Sequence, residues 1–99
     1  MSWANRAIGL LADGREATIR PHGNSMKPKV ESGATVTLRP IEIEDLEVGD
    51  IVLCKVKGNV YLHLVKALQG GRAQIGNNKG GINGWTRTVY GKAVKIVQP

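Results

Sequence analysis

The period of the apolar positions changes once along the chain. From Ser2 to Ala12, Trp3, Ala7 and Leu10 or Leu11 recur at the helical interval. Ser2 is placed to cap the first turn and Asp13-Gly14 to end the last, so the spacing predicts one short helix within residues 1–13. Beyond it, short β-branched segments recur between Gly, Asn, Pro and Asp: Ala17–Arg20, Thr35–Arg39, Asp50–Val56, Val60–Val65, Arg72–Ile75 and Val89–Val97. That rhythm predicts a mainly β fold, a coiled antiparallel sheet or barrel over residues 15–97. Lys57-Gly58-Asn59 reads as a hairpin turn between two strong strands. Glu42 to Glu47 reads as a helical turn or a loop, and the Gly- and Asn-rich stretch Asn77 to Gly84 as a surface loop. With neither a repeat nor a linker, residues 1–99 form a single domain.

Composition narrows the class. Hydrophobic residues make up 41% and charged residues 22%, which suits a globular domain rather than a disordered tail. No apolar run approaches the roughly 18–20 residues of a membrane span, and no basic-then-apolar leader opens the chain. A cytoplasmic location is therefore expected. The lone cysteine, Cys54, alternates with Val52 and Val56 and reads as a small core hydrophobe. The net charge of +6 conceals an asymmetry. Residues 51–99 hold eight Lys/Arg and no acid, whereas residues 1–50 hold six Lys/Arg and all eight acids. A uniformly basic second half suits a solvated face, an acidic protein partner or nucleic acid phosphates. Only Tyr61, Trp85 and Tyr90 supply aromatic rings there.

Two features carry candidate chemistry. Ser25 lies in Gly23-Asn24-Ser25-Met26-Lys27-Pro28, where glycine and proline force a turn. Such a turn can project a hydroxyl and aim a backbone N–H at a ligand, as a nucleophile beside an oxyanion site requires. His63 lies in an alternating strand, with Val60, Leu62 and Leu64 on one face and Tyr61, His63 and Val65 on the other. A histidine held on a strand can take a proton from a serine near neutral pH. His22 reads as a strand-end surface residue. His22, His63 and Cys54 are too widely spaced for a metal site, and no cofactor motif is present. Trp85, between Gly84 and Thr86, either anchors a partner or covers the core.

Four blocks in order tie these features together: Gly-Asn-Ser-Met-Lys-Pro, then Glu31-Ser32-Gly33-Ala34-Thr35-Val36, then Val48-Gly49-Asp50-Ile51-Val52, then Val60-Tyr61-Leu62-His63. Over residues 15–97 the chain resembles the superfamily of signal peptidases and repressor-cleaving serine peptidases. The resemblance implies a serine endopeptidase acting on an extended polypeptide, with Ser25 as nucleophile. It puts His63 at the base position, as in the endoplasmic-reticulum and archaeal-like branch, where bacterial signal peptidases use lysine. It also implies that the Ser25 N–H meets the oxyanion, that Gly23, Asn24, Met26 and Pro28 form the oxyanion turn, and that Met26 sits beneath the nucleophile. Gly76-Asn77-Asn78 stands where the family often has Gly-Asp-Asn, so Asn77 or Asn78 is expected to hold the His63 ring.

The chain departs from the family pattern in ways that support a second reading. No carboxylate follows Asp50, Leu64-Val65 replace a favoured arginine, and no membrane anchor is seen. No Ala-Gly or Cys-Gly dipeptide and no helix-turn-helix segment are present, which argues against a self-cleaving repressor. The alternative is a catalytically weak or inactive binding module that keeps the peptidase scaffold. It would hold a protein partner, or nucleic acid through its basic half.

Overall fold

The computed structural model describes residues 3–99. It opens with helix α1, Asn5–Ala12, shorter than the periodicity predicts, and the Ser2 cap lies outside the described residues. Ala4, Ala7 and Leu11 form the buried stripe, while Trp3 stays half-exposed. The helix stops because Gly14 adopts φ +79°, a conformation that costs glycine nothing. There the N–H groups of Gly14 and Arg15 return to the carbonyls of Leu11 and Leu10, both at 3.0 Å, in a Schellman close.

Seven strands follow: β1 Ala17–Ile19, β2 Thr35–Arg39, β3 Ile51–Val56, β4 Asn59–Gln69, β5 Arg72–Gly76, β6 Ile82–Thr86 and β7 Val89–Val97. All pairs are antiparallel, in the order β1-β2-β7-β3-β4-β5-β6. The fold is therefore mainly β with one short helix. The sheet curls but does not close, and β1 and β6 remain its outer strands. Two hairpins set its register. Lys57-Gly58 and Gly70-Gly71 all have positive φ, the geometry of two-residue turns whose twist matches the strands they join. The acidic stretch forms a single 3-10 turn, Ile43–Asp45, and Leu46 behind it is buried.

Alternation along β3 and β4 sends side chains to two cores. Leu53, Leu62 and Leu64 pack under α1 with Ile19, Val36 and Leu38. On the opposite face Val52, Cys54, Val56 and Val65 meet Ala73 and Ile75 inside the curl. Each of these larger aliphatic side chains contributes about 1.5–3 kcal/mol on burial. The curl is tightened where Thr86 Oγ1 donates to the Lys55 carbonyl at 2.6 Å and the Lys55 N–H donates to the Thr88 carbonyl at 3.0 Å. Trp85 is partly buried, with the Arg72 guanidinium 5.3 Å from its ring centroid.

The expected loop from Asn77 to Gly84 needs correction, because residues from Ile82 onward form β6. Its sequence, Ile-Asn-Gly-Trp-Thr, is interrupted by Asn83 and Gly84, two residues that strands disfavour. Pairing with β5 holds it instead, with a register shift next to Gly76. The true turn is shorter. Asn77 Oδ1 accepts from the N–H groups of Lys79 (2.9 Å) and Gly81 (2.8 Å), which folds the chain back. Two glycines permit the close approach. A Cβ on Gly76 would strike the Gly81 carbonyl, and one on Gly81 would lie 2.7 Å from the Asn77 amide.

Candidate active site

Ser25 rises from the irregular segment between β1 and β2. Gly23, at φ +127°, begins the turn, and its N–H donates to Ser32 Oγ at 3.1 Å. The Asn24 carbonyl accepts from the Lys27 N–H at 3.3 Å, and the Met26 carbonyl accepts from the Val30 N–H at 3.0 Å. Met26 is buried in the core beneath, which pins the turn from below. Asn78 ties it from the side. Its N–H donates to the Ser25 carbonyl at 2.9 Å and its Nδ2 to the Lys27 carbonyl at 2.8 Å. Among the described residues, no acceptor takes the Ser25 N–H itself.

His63 arrives on β4, opposite Val52 of β3, and is 8% exposed. Its Nε2 lies 3.1 Å from Ser25 Oγ. Its Nδ1 lies 2.7 Å from Asn83 Oδ1 on β6. A carbonyl oxygen only accepts, so the imidazole proton sits on Nδ1, and Nε2 offers its lone pair to the serine hydroxyl. Burial lowers the His63 pKa below its ordinary 6.5, and the Asn83 hydrogen bond opposes that shift. The ring is therefore neutral, and able to accept a proton, at neutral pH. The Tyr61 ring stacks on it at a centroid distance of 4.9 Å and an interplanar angle of 23°.

The expectation for Asn77 and Asn78 needs correction. Asn77 spends its oxygen on its own turn and Asn78 buttresses the serine loop, so neither hydrogen-bonds to the His63 ring. The ring's partner is Asn83, from the stretch expected to be a surface loop. The only signal available was its short distance beyond a Gly-Asn-Asn turn, and its place on a strand depends on the β5 ladder.

A cavity of about 370 Å3 opens beside Ser25 and His63. Pro21, Met26, Val30, Leu62 and Trp3 supply its apolar wall, and Arg20, His22 and Glu31 its polar margin. Along this margin β4 has a free edge, because β5 pairs with it only from Leu64 onward. The carboxylate lining the cavity, Glu31, lies 3.7 Å from Lys27. Among the described residues, no group of three His, Cys, Asp or Glu is arranged to hold a metal ion, and no helix is long and apolar enough to cross a membrane. No family model matches the chain, and no curated protein does either.

Proposed function

We propose that the chain is a serine endopeptidase of signal-peptidase-like type, with Ser25 as nucleophile and His63 as general base. The observation that carries this reading is the continuous relay from Ser25 Oγ through His63 to Asn83, at 3.1 and 2.7 Å. In the first step His63 Nε2 takes the hydroxyl proton as Ser25 Oγ bonds to the scissile carbonyl carbon. The carbonyl oxygen becomes an oxyanion, and the unengaged Ser25 N–H is its natural donor. The imidazolium then gives its proton to the departing amine, the C–N bond breaks, and an acyl-serine remains. Water, deprotonated by His63, hydrolyses that ester and restores Ser25.

The substrate is an extended polypeptide. The free edge of β4 beside the cavity suits a strand added by main-chain hydrogen bonds, with an apolar side chain against Met26, Val30 and Leu62. Digestion of a peptide library, followed by mass spectrometry, tests the reading. The wild-type protein should cut at a consistent class of bond, and Ser25→Ala and His63→Ala should each remove the cleavage. Cleavage that survives either substitution contradicts the assignment.

One observation favours a second reading, a peptide-binding module with little turnover. The ring is oriented by the neutral Asn83, and loss of the orienting carboxylate from a serine triad costs about four orders of magnitude in rate. Under that reading library peptides bind, and Ser25→Ala binds them equally well without any cleavage in the wild type.

A further inference from the structure

A base that takes up a proton inside a site must have its new charge stabilised. At His63 no carboxylate does this, since the Nδ1 partner is the neutral Asn83 amide. The group lying flat against the imidazole is Tyr61, with its ring 4.9 Å away and inclined by only 23°. The two residues are neighbours on the same face of β4, two positions apart, and the strand holds their rings in register. A neutral imidazole gains little electrostatically from a parallel ring. An imidazolium gains more, because the negative face of the aromatic quadrupole attracts a cation, and most strongly where water is excluded.

We propose that Tyr61 is a positioning residue whose ring face stabilises the protonated form of His63, in place of the carboxylate that the site lacks. The inference rests on the Ser25/His63 reading and deepens it, since the imidazolium is the form His63 takes when it accepts the Ser25 proton. The surroundings leave few competitors. Val52 and Val65 flank His63 within the sheet, and Asn83 faces it from β6. Across from Tyr61, Cys54 is a neutral buried thiol, its pKa pushed up to about 12 by burial. The charged or titratable groups lining the adjoining cavity are Arg20, His22 and Glu31, and Glu31 is paired with Lys27.

The test is an NMR titration of the His63 ring in the full chain, with the His22 ring in the same spectra as internal reference. Tyr61→Phe keeps the ring face and should leave the His63 midpoint nearly unchanged. Tyr61→Leu should lower it by roughly 0.4 to 1.5 pH units, the range that a cation–π contact supports. The sign discriminates. If Tyr61 merely covered His63, the leucine would admit water, ease the burial penalty and raise the midpoint. Should Tyr61→Leu fail to fold, progressively fluorinated phenylalanines at position 61 keep the shape and weaken the ring face, so the midpoint should fall stepwise with fluorination. A midpoint that rises, or ignores both leucine and fluorination, overturns the inference. Because the titration needs no turnover, it separates the two claims. A reactive Ser25 with an unresponsive midpoint defeats the role of Tyr61 alone, and a responsive midpoint with an inert Ser25 defeats the peptidase reading alone.

Discussion

At the scale of single residues, the site depends on a histidine kept neutral and correctly protonated. Burial holds the His63 pKa below 6.5, so its acid limb should fall below that value. The proposed activity, followed as kcat/KM against pH, should rise through a midpoint under 6.5 and level off before neutrality. Stability follows the same sign. An unfolded histidine titrates near 6.5 and the folded one lower, so the unfolded chain binds more protons between the two values. This contribution is complete above 6.5 and is lost as pH falls through the folded midpoint, which denaturant titrations at stepped pH would show. Asn83 fixes the tautomer. Asn83→Ala should cut turnover by about 100-fold or more, since the base loses its orientation. Asn83→Asp places an anion against Nδ1 and should move the acid limb to higher pH. Of these residues, Ser25 and His63 were singled out through the resemblance of four blocks in order, since a Gly/Pro turn or a strand histidine alone names no chemistry. The contact between His63 and Asn83 spans two strands separated by a third and leaves no local signal.

At the scale of elements, the question is how β6 comes to face β4. β3, β4 and β7 carry longer apolar or β-branched runs and stand out by pattern alone. β6 is short and broken by Asn83-Gly84, and it is a strand because the tight turn before it leaves Ile82 in register with Gly76. The sequence therefore hid both the element and the residue it delivers. Gly76 is the hinge of that geometry, since it pairs with Leu64 on one side and Ile82 on the other. Gly76→Ala would drive a methyl into the Gly81 carbonyl and should cost about 1–3 kcal/mol in a denaturant midpoint measurement. It should also lower turnover by displacing Asn83. Gly9→Ala provides the contrast. Gly9 is an exposed helical position with open space around it, so alanine there should add about 0.5–1 kcal/mol and leave turnover unchanged.

At the scale of the whole molecule, a curled open sheet divides two hydrophobic cores, and the site lies where the curl brings the serine turn, β4 and β6 together. Fold class was legible from the spacing of β-branched segments. The openness of the sheet was not, because whether the outer strands β1 and β6 meet is decided by contacts distant in sequence and not by local pattern. Cys54 reports on the assembly as a unit. It is fully buried with its pKa near 12, so an alkylating reagent should reach it only through global opening. Its labelling rate should rise in step with the loss of stability in Gly76→Ala and fall in Gly9→Ala.

If this fold activates one serine, an acylating reagent should find it. The direct measurement is intact-mass analysis after treatment with an acylating β-lactam or lipopeptide probe, with Ser25→Ala and His63→Ala alongside. A single adduct is expected on the wild-type chain, mapped to Ser25 and absent from both variants, with a yield that rises as pH passes the His63 midpoint. A folded wild-type chain that takes up no probe, or an adduct that persists in His63→Ala, would contradict it.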